Sequence, residues 1–157
     1  MKVEHAKPKV GSVVTMSRQD FLDGTYASDI QQLLVKRSAL IFPAMHLSDE
    51  EQLQFARTIG KVFLVGDSEL QNISMDPEIN PVADYTRGAF YWHIDGANDP
   101  IPAEATMLSA RVLPVEGEGG DTLWPTPTPP TPTCLRTTSN RSKDSRCVMR
   151  SKRRSDT

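Results

Sequence analysis

The sequence predicts an α+β domain that occupies about the first 124 of its 157 residues. Two helix-like segments come first, several short strand-like runs separated by long loops follow them, and the composition changes abruptly after Trp124. Helices followed by a series of short strands are typical of α+β and barrel-like folds. A chain of this length is sufficient to bury the core of one ordinary domain.

The two helices are predicted from apolar spacing and from capping signals. In residues 28–37 the apolar side chains recur at helical spacing, and Ser28 is the expected N-cap. A second helix is expected to begin at Ser48, because Ser48 and Glu51 form the S-x-x-E pattern of a capping box. Gly60 is expected to end that helix.

The strands are predicted from short apolar or alternating runs bounded by turn-forming residues. A proline-rich and acidic segment, residues 74–88, is predicted as a surface loop. The runs expected to be extended are residues 9–16, 39–44, 62–65, 89–95, 105–114 and 121–124.

The chain is electrically asymmetric, although its formal net charge is only −2. Residues 1–124 contain 10 Lys/Arg and 18 Asp/Glu, whereas residues 125–157 contain 8 Lys/Arg and 2 Asp. The second region is also rich in Pro, Ser and Thr and has no aromatic residue. Such a segment buries too little apolar area to offset the entropy of ordering it, so residues 125–157 are predicted to be a disordered tail.

The composition also disfavours several classes of function. The basic tail could contact nucleic acid phosphates, but it lacks interleaved aromatic residues for base stacking, so a nucleic-acid partner is the less favoured alternative. The longest apolar run, ALIFPAM, is too short to span a bilayer and the N-terminus has no signal-like apolar core; we therefore expect a cytoplasmic protein with no membrane partner. Oligomeric state cannot be read from these features.

The motif W-H-I-D contains the candidate metal ligands. In a strand, residues i and i+2 point to the same face, so His93 and Asp95 would present an imidazole beside a carboxylate. These are two of the three groups of the 2-His-1-carboxylate site that holds non-heme Fe(II). On the residues alone, an ordinary His–Asp pair in a strand is an open alternative.

The wider context resembles the TauD/TfdA family of Fe(II)- and 2-oxoglutarate-dependent dioxygenases over about residues 10–124. The similarity lies in "WHIDGANDPIPAEATMLSARVLPVEGEGGDTLW" and in the preceding "LLVKRSALIFPAMHLSDEEQLQFARTIGKV". The resemblance implies a partial double-stranded β-helix, or jelly roll, with N-terminal helices. It implies Fe(II) as the metal, 2-oxoglutarate as cosubstrate, and hydroxylation of a small organic molecule by molecular oxygen.

The resemblance also implies roles for three residues. His93 and Asp95 would bind iron, and Thr122 in the G-G-D-T motif would contact a carboxylate of 2-oxoglutarate; no catalytic residue is implied beyond the metal ligands. The taurine-binding members have asparagine where this chain has Ala89, so a sulfonate substrate is not expected. The G-G-D-T turn carries about two extra residues.

The family also needs a third iron ligand, a downstream histidine, and an arginine that pairs with 2-oxoglutarate. No histidine follows His93. Residues 1–124 are therefore expected to be an incomplete, inactive dioxygenase domain, or alternatively a non-catalytic fragment. A shifted reading frame after the Trp124 codon would permit the family's continuation A-N-x-Y-A-A-Y, so residues 125–157 are interpreted as an out-of-frame translation.

Overall fold

The computed structural model describes residues 1–93, 95, 99–101, 103–115, 122–125, 134–137 and 146–151. The chain forms two compact units. Unit 1 consists of Met1–Lys61 with Glu104–Thr157, and unit 2 consists of Val62–Ala103.

Unit 1 combines helices with a mixed β-sheet, which confirms the α+β class. Its helices are α1 (Arg18–Leu22), α2 (Ala27–Arg37) and α3 (Asp49–Ile59). Its strands are β1 (Lys2–His5), β2 (Ser12–Thr15), β3 (Ala39–Pro43), β4 (Ala105–Ser109), β5 (Thr122–Pro125), β6 (Cys134–Thr137) and β7 (Arg146–Ser151).

The five-stranded sheet has the order β1-β2-β3-β7-β4. Strand β2 is antiparallel to β1 and parallel to β3, whereas β7 is antiparallel to both of its neighbours. Strands β5 and β6 form a separate antiparallel ribbon. The described strands do not test the double-stranded β-helix, which stays a prediction.

Most elements with a strong local pattern lie where the sequence predicts them. Helices α2 and α3 are confirmed, and so are strands in β2, β3, β4 and β5. The predicted cap at Ser28 is wrong, because α2 begins one residue earlier and its N-cap, Tyr26, makes no side-chain capping bond. Strand β1 and the five-residue helix α1 were not predicted from the sequence, since neither has a long apolar pattern.

Two extended runs predicted in unit 2 differ from the structure. Residues 62–65 are not a strand; only an isolated bridge joins Val65 to Ser68. Within the predicted loop and the following aromatic run, Ala83–Thr86 forms a short helix, α4, and Arg87–Phe90 forms a 3-10 turn. Both runs are short and largely exposed, so apolar composition does not set their backbone conformation.

The structure describes two short parts of the region predicted as a disordered tail, and the tail as a whole stays a prediction. Cys134–Thr137 and Arg146–Ser151 are strands β6 and β7, and the other residues of 126–157 lie outside the described residues. The sequence of β7, RCVMRS, contains three consecutive apolar residues, Cys147, Val148 and Met149. Its pairing with strands more than 30 residues away has no local signature in the sequence.

Three phenylalanines from three elements form the centre of the core in unit 1. Phe21 of α1, Phe42 of β3 and Phe55 of α3 are each fully buried. The rings of Phe21 and Phe55 are stacked with centroids 3.6 Å apart, and Phe42 packs edge-on at 5.1 Å from Phe21 and 6.1 Å from Phe55. Such aromatic pairs contribute about 0.5–1.5 kcal/mol each beyond the burial of their area.

The N-terminus of α3 has the predicted capping box. The Ser48 backbone N–H donates to Glu51 Oε2 at 2.8 Å, and the Glu51 N–H donates to Ser48 Oγ at 3.3 Å. Arg18 of α1 donates to the Glu51 carboxylate and to the Met45 carbonyl. Arg111, which follows β4, donates to the Leu47 carbonyl and the Asp49 carboxylate of the same region.

Arg37, the last residue of α2, is buried and hydrogen-bonded along the start of β2. Its guanidinium donates to Ser12 Oγ at 3.1 Å, to the Pro8 carbonyl at 3.0 Å and to the Gly11 carbonyl at 2.9 Å, and it also bonds the Lys7 carbonyl. Five N–H donors in a planar fork suit such a set of oxygens. These bonds connect the β1–β2 turn to the end of α2.

Gly24, in the turn between α1 and α2, is expected to tolerate no side chain. Its φ is +67°, and a Cβ at this position would lie 2.7 Å from Thr58 Cβ and 2.8 Å from Thr58 Cγ2. We expect Gly24→Ala to lower the free energy of unfolding by about 1–3 kcal/mol, as overpacking does. In a Thr58→Ala background the cost should be smaller, because two of the three close atoms are removed. Urea denaturation of the four chains measures this coupling, and equal costs in both backgrounds would contradict the steric account.

The capping box predicts a pH dependence of stability. The hydrogen bond from the Ser48 N–H lowers the pKa of the Glu51 carboxyl below its ordinary value; desolvation opposes this effect and the bond from Arg18 supports it. Because the folded-state pKa is the lower one, the stabilisation is complete above the ordinary pKa and is lost as the pH falls through the lowered pKa.

The variant Glu51→Gln tests this dependence, because glutamine keeps a capping oxygen but does not titrate in this range. The free energy of unfolding is measured by urea denaturation from about pH 7 to about pH 3. The unmodified chain should lose more stability than the variant, because protonation of the Glu51 carboxylate weakens the cap in the unmodified chain and the variant has no carboxylate at this position. Parallel stability curves for the two proteins would show that Glu51 does not carry the effect.

Candidate functional site

Unit 2 carries the W-H-I-D motif, and a buried asparagine organises the segment that leads into it. Asn80 is 4% exposed, and its amide donates to the Ser74 carbonyl at 3.0 Å and to Thr86 Oγ1 at 2.9 Å. Its side-chain oxygen accepts the Val82 N–H at 3.2 Å. One side chain therefore joins Ser74, at the start of the predicted loop, to Thr86, the last residue of α4.

The 3-10 turn that follows α4 sets the direction of the chain into the motif. The Tyr91 N–H donates to the Gly88 carbonyl at 3.2 Å and closes the turn. Tyr91 itself is extended, with φ −98° and ψ 156°. The chain thus leaves the turn in an extended conformation immediately before His93.

The side chains of His93 and Asp95 lie side by side. His93 Nε2 is 3.1 Å from Asp95 Oδ1, and the two side chains are 46% and 40% exposed. Neither residue belongs to a strand, and Asp95 lies in a turn. The juxtaposition inferred from strand alternation is therefore produced by a turn.

The second imidazole nitrogen of His93 contacts the backbone. His93 Nδ1 is 2.8 Å from the Tyr91 carbonyl oxygen. A carbonyl can only accept, so this contact favours the tautomer with hydrogen on Nδ1 and leaves Nε2 as the ring nitrogen that a metal ion would bind. Histidines that bind metals are commonly oriented in this way.

The pair fits the donor set of a divalent metal. Two ligand atoms that each lie about 2.1 Å from a metal and subtend a right angle are about 3.0 Å apart, close to the observed separation of Nε2 and Oδ1. Imidazole nitrogen and carboxylate oxygen are also the ligand types of the Fe(II) facial triad. Among the described residues, no group of three His, Cys, Asp or Glu side chains could hold a metal ion.

Thr122, the residue implied to contact 2-oxoglutarate, belongs to unit 1. It is the exposed first residue of β5 and is the register partner of Thr137 in β6. The preceding residues of the G-G-D-T motif, 119–121, lie outside the described residues. Ala89, from which the sequence comparison argued against a sulfonate substrate, lies in the 3-10 turn.

Two contributors to this region were not predicted from the sequence. The Tyr91 carbonyl orients His93 through its main chain, which leaves no signature in residue type. Asn80 precedes a proline in the sequence EINP, a pattern that indicates a turn without revealing that the side chain is buried. In the part of the chain that the structure describes, no helix is long and apolar enough to cross a membrane.

Comparison with known proteins gives relatives of one kind. The chain is 29% identical over 113 residues to the (S)-phenoxypropionate/alpha-ketoglutarate-dioxygenase of Sphingobium herbicidovorans, covering 68% of this chain and 39% of that protein. It is 28% identical over 131 residues to the alpha-ketoglutarate-dependent 2,4-dichlorophenoxyacetate dioxygenase of a Burkholderia species, covering 72% and 43%. The chain thus spans about two fifths of the length of these curated relatives.

The fold is also found in a solved structure. The crystal structure of AAD-2 in complex with Mn(II) and N-oxalylglycine matches with a TM-score of 0.58 at 23% identity, over 77% of this chain and 41% of that one. The family model for "Taurine catabolism dioxygenase TauD, TfdA family" matches residues 2–125, which confirms the resemblance and extends it to β1. The match ends one residue after Trp124, where the composition changes. The chain belongs to the TauD/TfdA family of dioxygenases.

Proposed function

We propose that residues 2–125 are the N-terminal and central part of an Fe(II)- and 2-oxoglutarate-dependent dioxygenase, and that His93 and Asp95 are two of its metal ligands. The contact between His93 Nε2 and Asp95 Oδ1 within the W-H-x-D motif carries the proposal. Family membership supports it, because enzymes of this family use Fe(II) and 2-oxoglutarate. The exposure of both side chains leaves them accessible to an ion.

Each residue has a distinct task in this proposal. His93 donates the Nε2 lone pair, and the Tyr91 carbonyl keeps the proton on Nδ1 so that the imidazole does not rotate. Asp95 supplies a negative oxygen that offsets part of the charge of the ion. The Thr122 hydroxyl donates a hydrogen bond to a carboxylate of 2-oxoglutarate. The bound iron with 2-oxoglutarate supplies the oxidising chemistry that consumes molecular oxygen.

We further propose a small aromatic carboxylate as the substrate class. The relatives are named for phenoxypropionate and 2,4-dichlorophenoxyacetate, both aryloxy carboxylates. The residues Phe90, Tyr91 and Trp92 directly precede His93, and all three are exposed. Aromatic rings stack favourably on an aryl group. Position 89 is alanine rather than the asparagine of the taurine-binding members, so a sulfonate substrate is not expected.

By this proposal the 157 residues have little or no turnover alone. The third ligand and the arginine that the family uses lie downstream in its members, and no histidine follows His93 here. Residues 125–157 fit an out-of-frame translation that replaced this part. A non-catalytic fragment is the alternative, and the nucleotide sequence across the Trp124 codon distinguishes a shifted frame from a native tail.

Metal binding tests the two ligands. Mn(II) is a suitable probe because it broadens the NMR signals of nearby histidines and does not oxidise readily. We expect the His93 ring signals to broaden at low Mn(II), and we expect His93→Ala or Asp95→Ala to weaken binding at least about tenfold, the loss found even for groups that only orient ligands. Binding should be weak in absolute terms, since two side chains provide an incomplete site.

The control variant is His5→Ala, which removes an exposed histidine of β1. It should bind Mn(II) like the unmodified chain. Equal broadening of all three histidines, or unchanged binding after Asp95→Ala, would mean that the His93–Asp95 contact is only an ion pair. Succinate formation from 2-oxoglutarate, measured with phenoxyacetate and with taurine as substrates, should be near background for this chain; robust turnover with either would overturn the proposed inactivity.

A further inference from the structure

Strand β7 fills a gap between two strands of the family-matched region. Strands β3 and β4 are not neighbours in the sheet, and β7 lies between them along its whole length. Residues 39–43 of β3 pair with residues 146–150, and residues 105–109 of β4 pair with residues 147–151. The family match ends at residue 125, so this central strand comes from outside it.

The two flanking strands present core residues on both faces of the sheet. Leu40 of β3 belongs to the aromatic core cluster, and Met107 of β4 packs against the same cluster. Ile41 of β3 belongs to the second cluster, which contains Val10, and Leu108 of β4 packs against that cluster. A strand placed between them must therefore be apolar at two consecutive register positions, because directly opposed residues share a face.

The sequence of β7 meets this requirement. Met149 is the register partner of both Leu40 and Met107. Val148 is the register partner of both Ile41 and Leu108. Each of the two consecutive apolar residues of β7 is therefore paired with one apolar residue of β3 and one apolar residue of β4.

An empty gap would be costly for both neighbours. Adjacent strands lie about 4.8 Å apart, so β3 and β4 are about two strand spacings apart and do not pair with each other directly. Without β7, the backbone N–H and C=O groups that face the gap would lose their partners along a strand whose residues 39–42 are buried. Buried backbone groups without hydrogen-bond partners are destabilising.

We infer that β3 and β4 form a strand-acceptor slot, and that residues 146–151 of the same chain occupy it because their apolar residues match its register, whatever the origin of this segment. This inference does not rest on the proposed metal chemistry. The partner that fits the slot is an antiparallel extended segment with two consecutive apolar residues, bound by strand addition. The C-terminal region thereby becomes part of the sheet of unit 1.

Substitutions at Val148 in the full chain test the slot. Val148→Pro removes a backbone donor and is incompatible with a central strand, whereas Val148→Ile keeps the apolar pattern and the strand propensity. Hydrogen exchange is measured for those amides of residues 40–42 and 106–108 that donate to β7. We expect exchange at these amides to accelerate at least about tenfold in Val148→Pro, equivalent to about 1.4 kcal/mol, and to change little in Val148→Ile.

A peptide of residues 145–152, added in excess under reducing conditions to the Val148→Pro chain, separates an empty slot from general misfolding. It should restore protection, and the same peptide with aspartate at positions 148 and 149 should not. Protection of β3 and β4 that is unchanged by Val148→Pro would overturn the inference, as would equal rescue by the two peptides. Protection of the unmodified chain that appears only in a concentration-dependent dimer would also overturn it, because the occupant would then be a second copy.

Discussion

The stacked contact between Phe21 and Phe55, with Phe42 edge-on against both, is the interaction on which unit 1 depends. It joins helix α1, strand β3 and helix α3 at the centre of a larger buried cluster. Helix α1 has five residues, too few to be stable alone, so the burial of Phe21 holds it in place. Strand β3 is in turn the central strand of the five-stranded sheet and pairs with β2 and β7.

The segment between β3 and α3 shows what this packing supports. Ala44 and His46 have φ values of 56° and 45°, a region that residues with a side chain seldom adopt. Each such residue costs about 1–3 kcal/mol and persists only where the surroundings hold it. Here the burial of Met45 and Leu47 and the bonds from Arg18 and Arg111 supply that support. The capping box of α3 then begins at the next residue.

Local patterns predict only part of this architecture. Helices α2 and α3 follow from periodicity and capping, and β3 from a short apolar run, because the signal for each lies within the element. The 3-10 turn at 87–90 and the absence of a strand at 62–65 could not be predicted, since exposed apolar residues do not specify backbone conformation. The neighbouring positions of His93 and Asp95 follow from strand alternation in the sequence, yet a turn produces them. The role implied for Thr122 rests on family resemblance alone.

The His93–Asp95 pair and the sheet differ in the distance along the chain over which they form. His93, Asp95 and the Tyr91 carbonyl lie within five residues, so bringing them together closes almost no loop. Pairing β7 with β3 closes a loop of more than 100 residues, from Leu40 to Met149. The entropic cost of loop closure rises only slowly with loop length. Pairing of the apolar residues of β7 with those of β3 and β4 can therefore offset it. The proposed metal ligands can therefore be predicted from one short sequence motif. Strand β7 cannot be predicted in this way, because its partners in the sheet lie far away in the chain.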